Sequence, residues 1–334
     1  MKKTLSFIEI IILIISVLCF FGCGSEKVYG TIEPEANKAA LESMRGYDGV
    51  VAVQNYKTGE LVCCVSVKDG IVTSELSDFD NPDNNFLYGL FVPGSIMKIV
   101  TTVCAIRNDC EKFDYNCTGE SEYLSGSIKC PYPHGNVDFE KAFGYSCNCF
   151  YGRLALEIGE DAVFETAGQL GFNRKMNYNG IKTETSIFNP HIDEADFAWS
   201  CIGQASSKVN PAHFITMVST IANGGVCPVP GMDIQTGVKE ANALKYMMNW
   251  NVSGFYNGRM RFPGINMCGK TGTAETAGEI SSSLFVGFSA DDDFPYSVFC
   301  VIEQGGAGVE RAMNSASSVL TYIAEKEGYS YSQS

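Results

Sequence analysis

One segment constrains this chain more than any other. From Ser95 to Ile106 it reads SIMKIVTTVCAI, introduced by Pro93-Gly94. Apolar residues surround the segment instead of lining one stripe, and Lys98 sits among them. A helix that is apolar all round has to be enclosed by other elements. Pro and Gly stand just outside it, and Ser95 stands at its start. The pattern predicts a buried helix over 95–106 with a serine at its N-terminus and a lysine one turn later on the same face.

The segments around that helix predict its enclosure. Val50–Asn55 and Leu61–Val67 are β-branched apolar runs flanking Tyr56-Lys57-Thr58-Gly59-Glu60, which predicts a hairpin with Gly59 in the turn. Residues 68–92 are polar and rich in Asp and Asn, and are expected as loop. A Cys-, Gly- and Tyr-rich loop is expected over 110–137. Helical patterns follow near 138–144, 149–158, 161–170, 211–223 and 236–248, each punctuated by Pro, Gly or Asn. Asn266–Glu275, Ser283–Ser289 and Tyr296–Glu303 are expected as strands, and Arg311–Glu327 as a closing helix. Two strands, many helices, three strands and a helix predict an α+β domain. Its one sheet is built from both ends of the chain, with a helical insertion between them. No internal repeat or low-complexity segment is visible.

The N-terminus opens with Lys2 and Lys3, then an apolar run, Phe7 to Phe21, interrupted by Glu9 and Ser16. The run is short for a membrane span, which takes about 20 residues, and suits a signal-peptide core better. Its end, Phe20-Phe21-Gly22-Cys23-Gly24-Ser25, is similar to a bacterial lipoprotein cleavage site with Cys23 as the lipidated residue, although Phe20 stands where Leu is usual. An uncleaved anchor and full secretion are the alternatives. All three export the rest of the chain, and the lipoprotein and anchor readings hold it at the extracytoplasmic face of a bacterial cell membrane. Residues 1–23 are thus expected as leader or anchor, 24–44 as a tether leading into a first helix, 45–328 as the domain and 329–334 as a tail. The formal net charge of −14 argues against nucleic acid, whose phosphates would repel such a surface.

Three short patterns carry chemistry. Ser95-Ile96-Met97-Lys98 places Lys98 where it can take the Ser95 proton, and Ser95 at a helix N-terminus, where free N–H groups favour an oxyanion. A lysine accepts a proton at neutral pH only when burial or a second cation lowers its pKa. Ile96, Met97, Ile99 and Val100 supply the burial, and Lys270 is a candidate second cation. Taken alone, the pattern is weak: about one such match arises by chance in a chain this size, and a capping Ser with a snorkelling Lys would explain it. Ser146-Cys147-Asn148 falls between two predicted helices, so Ser146 and Asn148 can point into one cleft. There Ser146 can relay a proton to a leaving amine, and the Asn148 amide can hold Lys98 and a substrate amide. Lys270-Thr271-Gly272-Thr273 continues a strand. Its glycine permits close approach of a ligand backbone, and Lys270, Thr271 and Thr273 suit a carboxylate. A second Lys-Thr-Gly, Lys57-Thr58-Gly59, lies in the predicted hairpin turn and is expected to be structural.

In this order, the three patterns resemble those of the penicillin-binding protein transpeptidase domains, closest to the class B, monofunctional type. The resemblance covers roughly residues 45–325. It includes Asn55 to Val65, Val92-Pro93-Gly94-Ser95, His134-Gly135 through Asn148, Ile202-Gly203-Gln204, Ala222-Asn223-Gly224-Gly225 and Phe285-Val286-Gly287-Phe288. It implies a β-lactamase/transpeptidase-like fold, an antiparallel sheet flanked by helices. It also implies peptidoglycan stem peptides ending in D-Ala-D-Ala as substrate and β-lactams as covalent ligands. The implied catalytic set is Ser95 as nucleophile, Lys98 as base, Ser146, Asn148 and Lys270. Thr271, Gly272 and Thr273 would bind substrate, and the Ser95 and Thr273 N–H groups would form the oxyanion hole. No cofactor and no metal is implied, and protein partners are not specified.

Class B proteins usually carry a long N-terminal module, and about 20 residues between Cys23 and the domain have no room for one. Relatives of other activity are a D,D-carboxypeptidase, a serine β-lactamase and a β-lactam sensor. The best match to the β-lactamase deacylation motif, Glu184 to Asn189, has one residue too many and no Leu before the Asn. Among the 14 cysteines, Cys63, Cys64, Cys104, Cys201, Cys268 and Cys300 sit in apolar contexts and are expected in the core, and Cys147 is expected to pack. Cys117 and Cys130 flank a polar loop. They are expected as a disulfide or as free thiols, with a metal shared with Cys110 and His134 as the third option. So many expected free thiols in an exported protein suggest a reducing or oxygen-poor habitat.

Overall fold

A computed structural model of the chain describes residues 32–74, 78, 81–124, 127–190, 193–275 and 280–331. The expected leader, Cys23 and the first part of the tether lie outside the described residues. The chain opens with helix α1 (Pro34–Met44), then strands β1 (Gly49–Asn55), β2 (Leu61–Lys68) and β3 (Ile71–Thr73). A short helix α2 (Asn85–Tyr88) leads to a 3-10 turn, Gly94–Met97, which runs directly into α3 (Lys98–Arg107). The middle of the chain holds a small ribbon, β4 (Tyr115–Cys117) with β5 (Gly135–Val137), then α4 (Phe139–Gly144), α5 (Asn148–Ile158) and α6 (Glu160–Gln169). A two-residue ribbon, β6 (Asn177–Tyr178) and β7 (Ile181–Lys182), precedes α7 (Glu194–Cys201), α8 (Pro211–Ala222), α9 (Val238–Phe255) and α10 (Gly258–Arg261). Strands β8 (Met267–Ala274), β9 (Ser282–Ser289) and β10 (Tyr296–Ile302) and the closing helix α11 (Ala312–Glu327) complete the fold.

The main sheet has six strands in the order β3-β2-β1-β10-β9-β8, and every pairing is antiparallel. The first and last strands meet in its middle, where Gly49 stands opposite Ile302 and Asn55 opposite Tyr296. The sheet is thus built from both chain ends, as expected. Strands β1, β2, β9 and β10 read as largely apolar runs because both faces are covered. Val51, Val53, Cys63, Val65, Val298 and Cys300 pack with α1 and α11 on one face. Val50, Ala52, Leu284, Val286, Phe299 and Val301 point the other way, into the core shared with α3 and α8. Alternate residues on a strand face opposite sides, so a sheet covered twice needs apolar residues at every position. Helix α8 is buried along its whole length, and α3 is buried from Lys98 to Ile106.

The hairpin turn shows why Lys57-Thr58-Gly59 is structural. Asn55 Oδ1 accepts the Lys57 and Thr58 N–H groups at 2.9 and 3.1 Å. Gly59 has φ +79°, and a Cβ there would come within 2.4 Å of the Pro228 carbonyl oxygen.

Several expectations need correction. The tether does not extend through residues 34–44: α1 buries Ala36, Ala40 and Met44 against the sheet and belongs to the domain. Nor do residues 329–331 hang free as a tail. The Tyr329 ring stacks on Phe294 at 4.6 Å, and the Tyr331 N–H donates to the Gly264 carbonyl at 2.7 Å. The stretch 68–92 holds β3 and α2 as well as loop, and the expected helix near 236–248 runs on to Phe255. Helix α7 had no sequence expectation. It is short, and Asp193 caps it by accepting the Asp196 N–H at 2.9 Å. Among the described residues no helix is long and apolar enough to cross a membrane.

Candidate active site

The three sequence patterns converge at one end of the sheet. Ser95 lies in the 3-10 turn that precedes α3, not in the α-helix itself; it is partly exposed, while Lys98 is fully buried. Ser146 and Asn148 flank the start of α5, and Lys270 and Thr271 lie on β8.

Glycines allow this convergence where backbones nearly touch. A Cβ on Gly94 would stand 2.5 Å from the Thr273 carbonyl oxygen, and one on Gly272 would stand 2.6 Å from the Pro93 carbonyl oxygen. Gly203 is tighter: its Cβ would fall 1.8 Å from the Gly94 carbonyl oxygen. The Gly94 N–H donates to the Gly203 carbonyl at 2.8 Å. The nucleophile turn is thus wedged between β8 and the loop after α7, which sets the backbones of residues 94 and 95 beside Thr273. Strand β8 is the edge of the sheet, so its outer side remains open towards this turn.

Lys98 is the hub. Its Nζ lies 3.0 Å from Ser95 Oγ and 3.1 Å from Ser146 Oγ, and donates at 2.6 Å to both the Ser146 carbonyl and Asn148 Oδ1. The Asn148 amide is fixed from its other end, where Nδ2 donates to the Lys129 carbonyl at 2.8 Å. Ser146 takes a left-handed backbone with φ 56°, a strained conformation for a residue with a side chain. That turn presents its carbonyl and its hydroxyl to the same lysine. Lys270 Nζ donates to Ser146 Oγ at 2.9 Å.

Among the described residues neither buried lysine pairs with a carboxylate, and both are pushed down to about 7. Burial is the main cause for each, because a low-dielectric site disfavours the cation. For Lys98 the Lys270 charge adds to burial, while the nearby cysteine sulfurs push the opposite way. The Tyr151 ring lies 5.7 Å from Lys98 Nζ and the Phe143 ring 5.8 Å from Lys270 Nζ.

The neutral form of Lys98 fits its surroundings. An amine has two N–H groups and one lone pair. Two carbonyl oxygens at 2.6 Å take the N–H groups, and the lone pair is left for a hydroxyl proton. Ser95, at 3.0 Å, is placed to donate that proton.

Some residues at the site were not assigned roles from sequence. The Tyr256 hydroxyl pairs with Thr271 Oγ1 at 2.7 Å. Gln204 Nε2 donates to the Thr273 carbonyl at 3.3 Å. Gln204 was visible as part of Ile202-Gly203-Gln204, whereas no local pattern marked Tyr256. Glu184 is exposed, and its carboxylate accepts the Thr185 N–H at 3.2 Å. It does not supply the buried deacylation base of a β-lactamase.

Comparison with known proteins agrees with this geometry. The family described as "Penicillin binding protein transpeptidase domain" matches residues 49–325. Peptidoglycan D,D-transpeptidase PbpA of Mycolicibacterium smegmatis is 24% identical, over 83% of this chain and 67% of that protein. Penicillin-binding protein 3 of Bacillus subtilis is 24% identical, over 75% of this chain and 43% of that protein. The chain therefore spans about two thirds or less of the length of these curated relatives. Among solved structures, the D,D-transpeptidase domain of a peptidoglycan glycosyltransferase from Eggerthella lenta superposes with a TM-score of 0.76 at 24% identity, covering 89% of this chain and 82% of that one. Penicillin-binding protein A from M. tuberculosis, as its penicillin G acyl-enzyme, superposes with a TM-score of 0.70 at 21% identity, covering 89% and 79%. At these identities the structural likenesses establish the fold.

Proposed function

Given that this chain belongs to the penicillin-binding protein transpeptidase family, we propose that it is a serine D,D-transpeptidase that cross-links peptidoglycan stem peptides and is acylated by penicillins. One observation carries the reading: Lys98 Nζ within hydrogen-bond reach of Ser95, Ser146 and Asn148 together, with Lys270 on the far side of Ser146.

In the proposed reaction, Ser95 Oγ attacks the carbonyl carbon between the two terminal D-Ala residues and passes its proton to neutral Lys98. The oxyanion falls to the backbone N–H groups of Ser95 and Thr273. The substrate lies along the open edge of β8, with its terminal carboxylate held by Lys270, Thr271 and Thr273 and its backbone brought close by Gly272. The C–N bond then breaks, and the Lys98 proton reaches the departing D-Ala nitrogen through Ser146, which touches both lysines. An amine from a neighbouring stem attacks the acyl ester. Its proton returns by the same route, the new peptide bond forms, and Ser95 is released as the hydroxyl. A β-lactam enters the first half of this cycle, and its ring C–N bond is the one that opens.

The same reading gives residues 1–23 the role of leader, with a lipid on Cys23 or an uncleaved span holding the domain at the outer face of a bacterial membrane. Support for that part comes from sequence alone.

The deciding test is intact mass after incubation with penicillin. A long-lived adduct that Ser95→Ala abolishes is the expected result. Rapid drug hydrolysis with no lasting adduct would instead make the protein a β-lactamase. Stem peptides supplied with and without an acceptor amine then separate cross-linking from simple carboxypeptidase release.

A further inference from the structure

Behind the Ser146–Asn148 segment lies a cluster that the proposed chemistry does not use. Cys117, Cys130, His134 and Cys147 bring one potential ligand atom each to within 4.8 Å of all the others. We propose that these residues form a structural zinc site, with three thiolates and His134 Nδ1 as ligands.

The spacing is the first reason. A tetrahedral zinc with bonds of about 2.3 Å to sulfur and 2.05 Å to nitrogen needs ligand–ligand edges of about 3.8 Å (S to S) and 3.5 Å (S to N). Cys130 Sγ lies 3.8 Å from Cys147 Sγ, and Cys117 Sγ lies 3.5 Å from His134 Nδ1. A disulfide needs about 2.05 Å, and none of the twelve cysteines among the described residues is paired.

The second reason is how the fold delivers the ligands. Cys117 ends β4 and His134 immediately precedes β5, and the ribbon pairs Cys117 with Gly135. Cys130 is held on the facing strand-like stretch, where its N–H donates to the Gly119 carbonyl at 2.9 Å. Cys147 caps α5, and its sulfur accepts the Phe150 N–H at 3.4 Å. The His134 ring is oriented by stacking on Tyr145, with centroids 5.2 Å apart and planes at 17°.

The third reason is that the cluster ties together segments with little other regular structure. Among the described residues, the long excursion between α3 and α4 holds only the three-residue strands β4 and β5. An ion on these four ligands would fasten it to the Ser146–Asn148 turn. Of the two expectations for Cys117 and Cys130, the disulfide is not formed and both thiols are free; the expectation of no metal is the one this proposal revises. Cys110 is not part of the set: its thiol turns back to the Asn108 carbonyl at 3.3 Å. Cys149 stands 3.6 Å from Cys130 Sγ but outside the mutually close four.

The test is metal content of the full chain, purified in reducing, chelator-free buffer and measured by elemental mass spectrometry. About one tightly held zinc per chain is expected. The Cys117→Ser/Cys130→Ser double variant should lose it, while Cys227→Ser, which is outside the cluster, should keep it. Should the double variant not fold, cobalt substitution of the unaltered chain gives a second readout. Intense thiolate-to-cobalt absorption with a tetrahedral visible spectrum is the expected signature. A chain that retains no zinc after loading and dialysis, or a double variant that retains as much as the parent, would overturn the site. None of these measurements depends on penicillin acylation, so they stand apart from the test of the transferase reading.

Discussion

Lys98 and Lys270 share one hydroxyl, their Nζ atoms lying 3.1 and 2.9 Å from Ser146 Oγ. Two cations cannot stand that close in a buried site without lowering each other's proton affinity. The arrangement keeps an amine ready as base on one side of Ser146 and leaves the other lysine free to meet an anion.

The pH dependence of acylation should follow Lys98. Its conjugate acid is held down to about 7, first by burial and then by Lys270. Only the neutral amine accepts the Ser95 proton, so acylation falls as pH drops through about 7; Lys270 is held down to about 7 as well, so loss of its charge weakens the grip on the ligand carboxylate at higher pH and bends the profile over. In Lys270→Gln the neighbouring cation is gone, and the midpoint should move to higher pH whatever happens to the absolute rate. Second-order rates with a fluorescent penicillin between pH 5.5 and 9, on the order of a dozen points, give the profile; an unmoved midpoint would break the coupling.

Asn148→Ala should slow acylation more than it destabilises the fold. The side chain orients Lys98 at 2.6 Å and is itself anchored on Lys129. Losing a group that aims the base typically costs about 10²-fold or more in rate. Melting temperature measured beside the acylation rate separates the two effects.

Gly203→Ala should damage both stability and acylation, because its Cβ would overlap the Gly94 carbonyl at 1.8 Å and force residues 94 and 95 away from β8. Destabilisation by more than about 3 kcal/mol is expected from so close a backbone clash. Gly70→Ala is the control. It has φ +75° but nothing within 4 Å, so only the left-handed strain of about 1 kcal/mol remains, with acylation unchanged. Urea unfolding of both variants reads the difference.

Acid should destabilise the fold partly through His213. The ring is wholly buried between the Ser186 hydroxyl and the Leu170 carbonyl, and burial pushes it down to about 4. The unfolded chain takes up a proton near 6.5, the folded chain only near 4. The folded state therefore loses ground as pH falls between those values, at up to about 1.4 kcal/mol per unit. Stability is fully present above pH 6.5. His213→Gln should flatten that part of the pH–stability curve; an equally steep curve would remove His213 as a cause.

Legibility in the sequence followed range. Strands β1, β2, β9 and β10 announce themselves by runs of apolar residues, whereas β8, with Lys270-Thr271-Gly272-Thr273 at its centre, was legible only as the continuation of Met267-Cys268-Gly269. The buried helix of the nucleophile was equally plain, since Ile96, Met97, Ile99 and Val100 leave Lys98 no polar face. Ser146 and Asn148 were readable as a pair, but the left-handed turn at Ser146 was not, because no local pattern requires φ 56° there. Short elements such as β3 and α7 exist by tertiary contact and carry too few residues for a period. The partnership of Cys147 with Cys117, Cys130 and His134 was hidden for a related reason. Cys117, Cys130 and His134 share one stretch of sequence and were grouped from it as a metal option with Cys110, but Cys147 comes from the separate Ser146–Asn148 segment and no spacing puts it in place of Cys110.

The central pairing of β1 with β10 bears on how such a chain can be made. The strand laid down first finds its middle-of-sheet neighbour only when the last strand has been synthesised, so the sheet cannot close on a partial chain. Folds dominated by distant pairings close slowly, since long loops must be ordered before contacts reward them. For a polypeptide that has to pass through a narrow translocation pore as an open thread, that delay is an advantage. On the proposed export route, the domain would stay threadable until β10 had crossed, and would lock only on the far side.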